Sequence, residues 1–244
     1  YFDVTRGDVP VNSVDVSFEA AKGIGYIKVS KFARNTYNEF ITAIAKLKQA
    51  GCTSFVIDLR GNTGGYMDAA INMINEFMPE GRLIVYTEGK SFPRSDVYAN
   101  GTGTCKDAPI VVLTDEISAS ASEIFSGAIQ DNDRGTIIGR RTYGKGLVQT
   151  QMSLSDGSEM RLTIARYYTP SGRCIQKKYE MGNTDAYDQD IYNRYMHGEF
   201  DSADSIKMDD SLKYQTVGGR TVYGGGGIMP DIFIPRDTSG VTSY

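Results

Sequence analysis

Ser54-Phe55-Val56-Ile57-Asp58-Leu59-Arg60-Gly61-Asn62-Thr63-Gly64-Gly65 decides the fold. Its first six residues are a short apolar run of the kind a strand buried on both faces of a parallel sheet shows. The last six are a glycine-rich turn, and Met67, Ala70, Ile71, Ile74 and Phe77 then recur at helical spacing up to a stop at Pro79. The order is strand, turn, helix.

The same order extends on both sides. Residues 22–30 read as a strand. A helix follows over 36–50, with Phe40, Ile41, Ile44 and Leu47 on one stripe, Thr36 as cap and Gly51 as terminator. Further on, 82–87, 110–114 and 136–139 read as strands and 118–130 as a helix. The alternation predicts an α/β fold, a largely parallel sheet with crossover helices. From Leu147 to Tyr168 the period changes to two. Met160, Leu162 and Ile164 fall on one side and Arg161, Thr163 and Arg166 on the other, which predicts an additional antiparallel section, a hairpin around Asp156-Gly157. Residues 176–213 break the rhythm with acidic residues and scattered tyrosines and read as an excursion, helical around 187–196, whose tyrosines pack on the parent domain or, as the alternative, line a binding face. Gly224 to Gly227 form a turn before a final strand at 228–235.

Composition excludes several classes. In 244 residues, 40% hydrophobic and 23% charged is ordinary globular usage, so neither disorder nor a fibrous repeat is expected. A net charge of −4 lacks the basic footprint of a nucleic-acid binder. Cys52, Cys105 and Cys174 are odd in number and widely spaced, so they supply neither a disulfide framework nor a metal cluster. No cofactor or metal is implied. No apolar run approaches membrane-spanning length.

The chemistry is narrowed by a scarcity: one histidine, His197, far from every candidate motif. A serine nucleophile needs an adjacent base, and a neutral lysine amine can replace imidazole. Ser118-Ala119-Ser120-Ala121-Ser122-Glu123-Ile124 follows the 110–114 strand and opens a helix. That places Ser120 at the carboxyl edge of the sheet, where open α/β folds collect ligands. Ser118 reads as the helix cap and Ser122 as a small surface residue. Lys145 lies downstream between Gly144 and Gly146, and burial away from carboxylates would favour its neutral form. Gln149 shares a face with position 145 if the segment is extended, so its amide could hold the amine toward Ser120. Gly64 and Gly65 offer unobstructed amides that, with that of Ala121, make a candidate oxyanion cradle. Asp58 and Arg60 read as organisers of that turn. Gly139 to Lys145 matches the spacing of a phosphate loop, but Gly146 stands where Ser or Thr must follow the lysine, and a strand follows where the motif needs a helix.

Together, residues 58–65, 118–124 and 144–149 resemble the carboxyl-terminal processing peptidases, or tail-specific proteases. Residues 167–173 and 227–231 are similar to family sequence as well, so the likeness covers most of the chain outside 176–213. Thr63 stands where the family usually has proline, and Asp115 where it often has asparagine. The resemblance implies a crotonase/Clp-protease-like core of stacked β-α units. It makes Ser120 the nucleophile, Lys145 the base and Gln149 its orienting residue, with backbone oxyanion donors at Gly64 or Gly65 and at Ala121. It also implies a serine endopeptidase acting on polypeptide tails in a bacterial cell envelope, either periplasmic or membrane-anchored through a removed N-terminal segment, with room for a homo-oligomer. On this reading residues 1–16 lead out of a missing PDZ domain and 17–244 form the catalytic domain. Two other readings are a catalytically silent tail-binding module and an acyl-coenzyme A-binding protein on the same fold.

Overall fold

A computed structural model describes residues 11–179 and 184–238. The expectation for residues 1–10 lies outside these. Val14–Ala21 is strand β1, antiparallel to β2 (Ile24–Val29), so the leading segment enters the sheet sooner than its sequence indicates. Helix α1 (Thr36–Gln49), β3 (Ser54–Asp58), α2 (Met67–Asn75), β4 (Leu83–Gly89) and β5 (Phe92–Tyr98) follow. Next come β6 (Ile110–Thr114), α3 (Ala121–Asp131), β7 (Thr136–Gly139) and the hairpin of β8 (Leu147–Ser153) and β9 (Glu159–Tyr168). Short helices α4 (Thr184–Asp188) and α5 (Asp190–Met196) precede a small hairpin, β10 (Lys213–Gln215) with β11 (Thr221–Tyr223). The expected last strand shrinks to β12, Ile232–Phe233.

The mixed α/β architecture is the one expected. Six strands form one sheet in the order β1-β2-β3-β6-β7-β12, parallel throughout except for β1. A four-stranded antiparallel sheet, β5-β4-β9-β8, carries the predicted hairpin at its edge. Phe77, just past α2, sits where the layers meet. The rings of Phe40 on α1, Phe55 on β3 and Phe125 on α3 approach it edge-on at 6.1, 6.4 and 6.4 Å between centroids. Such offset geometry adds to simple burial, and it fixes three elements that lead to the site.

Two sequence readings of packing change. Thr36 begins α1 rather than capping it; Asn35 is the cap, and the Thr36 hydroxyl oxygen accepts from the Ala33 amide at 2.7 Å. In the excursion, Tyr179, Tyr192 and Tyr195 are exposed rather than packed on the parent domain. Its anchors are charged.

Candidate active site

Parallel neighbours end at the same sheet edge, so the loops that leave β3, β6 and β7 meet there. They carry the glycine turn, Ser120 and Lys145. Asp58, at the end of β3, is buried. Its carboxylate accepts from the Arg60 Nε and Nη2 atoms, the Arg60 amide, the Tyr26 hydroxyl and Lys28. Burial pushes this carboxyl up, but the Arg60 and Tyr26 bonds and the Lys28 charge outweigh it and hold it below the ordinary carboxylate value. The pair organises the turn, as expected.

Asn62 and Asp115 then tie the turn to the serine loop. The Asn62 carbonyl accepts from the Ala119 amide at 3.0 Å and the Ser122 hydroxyl at 2.9 Å. Asp115 accepts from the amides of Gly61, Ile117 and Ser118. The Ser118 hydroxyl donates to the Leu59 carbonyl at 2.8 Å. Ser118 and Ser122 are therefore buried struts, neither a cap nor a surface residue. The cap is Ser120, which is half-buried, with its hydroxyl donating to nothing among the described residues. It adopts φ 57°, ψ −113°, a conformation that costs a non-glycine residue about 1–3 kcal/mol and persists only where the surroundings impose it.

Glu123 is the imposing group. It is fully buried and accepts four hydrogen bonds: Thr142 Oγ1 and the Gly144 amide on Oε1, both at 2.6 Å, and the Ser120 and Lys145 amides on Oε2, both at 2.8 Å. Burial pushes its carboxyl up and the donors oppose that shift. Since Ser120 and Lys145 share one oxygen atom, their main chains lie no farther apart than those two contacts allow. The Lys145 side chain is half-buried, and its amine forms no ion pair among the described residues.

The oxyanion candidates separate. A side-chain carbon added at Gly64 would lie 2.7 Å from Ser120 Cβ and 3.0 Å from the Ala121 nitrogen, so this glycine abuts the serine. Its amide, however, donates to Asn62 Oδ1 at 2.8 Å. The amides of Gly65 and Ala121 donate to nothing among the described residues; Ala121 is the first residue of α3, where no intrahelical acceptor exists. Gln149 stands apart. It is exposed on β8 and donates to Thr163 Oγ1 at 3.4 Å rather than to Lys145. Lys145 precedes the strand, so two-residue alternation does not reach it, and a register shift between Val148 and Gln149 pairs Gln149 with Thr163.

Among the described residues, no group of three His, Cys, Asp or Glu side chains is placed to hold a metal ion, and no helix is long and apolar enough to cross a membrane. The sequence reading left Glu123 without a role. Its signal was present: Ser120-x-x-Glu123 is a capping-box pattern, in which the acidic residue reaches back to the cap amide.

The sequence model of peptidase family S41 matches residues 23–185. The chain belongs to peptidase family S41. It is 38% identical over 179 residues to a carboxyl-terminal-processing protease of Synechocystis, covering 72% of this chain and 42% of that one. It is 38% identical over 159 residues to a chloroplastic C-terminal processing peptidase of Tetradesmus obliquus, covering 65% of this chain and 34% of the other. The chain thus spans less than half the length of these relatives. Among solved structures, the photosystem II D1 C-terminal processing protease matches with a TM-score of 0.66 at 28% identity, over 95% of this chain and 50% of that one.

Proposed function

We propose that this S41 chain is the catalytic part of a serine endopeptidase that cuts polypeptides near their carboxyl terminus through an acyl-enzyme on Ser120. One arrangement carries the reading. The only serine hydroxyl of the 118–124 segment that donates no hydrogen bond shares Glu123 Oε2, through its main chain, with Lys145, beside two undonated amides. In the proposed reaction Ser120 Oγ attacks the substrate carbonyl carbon while the Lys145 amine takes the hydroxyl proton. The Gly65 and Ala121 amides receive the developing oxyanion. Collapse breaks the C–N bond, and the lysine proton passes to the leaving amine. Water, giving a proton to Lys145, then attacks the ester carbon; the bond from that carbon to Ser120 Oγ breaks and the lysine proton passes to Oγ, restoring the hydroxyl and the neutral amine. Gln149 is the residue assigned to steady the amine once its side chain leaves Thr163.

Tail specificity, a PDZ domain outside residues 17–244 that presents the tail, and action in the cell envelope belong to the same proposal. Tail specificity is supported by the names of the relatives, and the PDZ domain and the envelope by the sequence resemblance. A tail peptide incubated with the chain and analysed by mass spectrometry is expected to yield two products. Ser120→Ala and Lys145→Ala are each expected to abolish cleavage with an unchanged melting temperature. Saturable binding of an intact peptide would instead mark a tail-binding module, and a fluorophosphonate that labels Ser118 or Ser122 would move the nucleophile.

A further inference from the structure

Residues 190–199 meet the body of the protein at the main chain just ahead of Lys145. Arg194, on α5, is only 5% exposed. Its Nη1 donates to the Thr142 carbonyl at 3.0 Å, its Nη2 to the Arg141 carbonyl at 2.7 Å and its Nε to Glu199 Oε1 at 2.8 Å. Glu199 also accepts from Arg141 Nε at 2.7 Å and Nη2 at 2.6 Å. Thr142 is the next link. Its hydroxyl donates to Glu123, the carboxylate that holds the Gly144, Lys145 and Ser120 amides. Lys177 grips the same stretch from the side: its amide donates to the Gly144 carbonyl at 2.9 Å, and its amine lies 4.1 Å from the Tyr143 ring and 4.2 Å from the Tyr187 ring.

We propose that Arg194, seated by Glu199, is a positioning residue for Lys145, and that the excursion serves as a brace on the loop that carries the base. Buried charged clusters are poor sources of net stability, because desolvation offsets the attraction. What the guanidinium supplies here is geometry, since its planar fork meets two successive carbonyls and a carboxylate at once. Loss of the fork removes the hold on the Arg141 and Thr142 carbonyls and leaves Thr142 held by Ile228, at its amide and hydroxyl, and by Glu123, so the loop that presents the Lys145 amide to Glu123 is less tightly set. Both residues lie beyond the 23–185 stretch that matches the family model. The inference rests on the assignment of Lys145 as the base.

Arg194→Ala, Arg194→Lys and Glu199→Gln in the full chain test it. The readouts are fluorophosphonate labelling of Ser120, kcat and KM on a tail peptide, and amide hydrogen exchange over residues 142–147. Arg194→Ala is expected to slow labelling and kcat about tenfold with KM changed less than about twofold, and to speed exchange at 142–147 while β3 is unaffected. Arg194→Lys should recover part of the loss; if Arg194→Ala does not fold, this variant and Glu199→Gln carry the test. Wild-type labelling and exchange in a folded Arg194 variant would overturn the brace and leave the peptidase reading standing. A wild-type chain never labelled at Ser120 would overturn the peptidase reading, and the brace with it, even if exchange responds.

Discussion

Gly64→Ala tests whether the glycine turn really abuts the serine. The new methyl carbon would stand 2.7 Å from both Ser120 Cβ and the Ala119 carbonyl oxygen, and 3.0 Å from the Ala121 nitrogen. Comfortable carbon contacts lie near 3.5–4.0 Å, so the two loops must part by roughly an ångström. Overpacking of that kind costs about 1–3 kcal/mol, and placing a side chain at φ +99° adds about 1–2 kcal/mol. For a domain of this size the expected loss is roughly 5–15 °C in melting temperature. The functional loss should be larger in proportion, since a misplacement of about 1 Å in a reacting constellation can lower a rate about a hundredfold. Gly61→Ala is the matched control. Its φ is also positive, +72°, but nothing lies within 4 Å of the added carbon, so it carries backbone strain without the clash. Labelling of Ser120 by a fluorophosphonate, measured alongside thermal unfolding at a temperature where all proteins are folded, separates the two effects. Should Gly64→Ala react at the rate of Gly61→Ala, the proposed contact between turn and nucleophile is wrong.

Two further outcomes follow from the same geometry. Ser120→Gly removes the hydroxyl and relieves the positive φ, so it should abolish labelling while raising the melting temperature by a few degrees, from a gain of about 1 kcal/mol; a fall in melting temperature would contradict the strain assigned to Ser120. Asp58 has a depressed folded value, so its contribution is present above the unfolded carboxylate value of about 3.9 and is lost as pH falls through the folded one. Melting temperature should therefore drop below about pH 4, and Asp58→Asn should be less stable at neutral pH with a flatter acid limb; parallel limbs would show that this carboxylate does not couple to folding.

How much of this was legible in the chain depended on where each residue's partners lie. β3, β6, β7, α1 and the β8–β9 hairpin were readable because their signals, apolar runs and fixed periods, are local. β1 was missed because register shifts near Val16 and Ala21 break its alternation. β5 was missed because Pro93 and the largely exposed, polar run that follows it show no apolar face. Ser120 and Lys145 were readable as candidates, but their adjacency was not, since it depends on the sheet order β3-β6-β7. Arg194 and Glu199 carry no local signal of their role. Their acceptors and donors on Arg141 and Thr142 are 52 to 58 residues away in sequence, beyond the reach of any window.

Strain at position 120 explains why the loops are bound so densely. A serine forced out of the ordinary backbone regions would relax if its neighbours allowed it. The turn after β3 and the loop after β6 are joined by the Ser118 hydroxyl on Leu59, the Ser122 hydroxyl and Ala119 amide on Asn62, and the Gly61 amide on Asp115. Together these bonds hold the two loops around Ser120, whose amide is turned in to Glu123. The Lys145 loop reaches the same carboxylate from β7, so one buried acid fixes the main chains of both proposed reacting residues. A relaxed Ser120 would give up its bond to Glu123, leaving the Lys145 amide alone on that oxygen. Displacement of Glu123 itself is what would release both main chains at once.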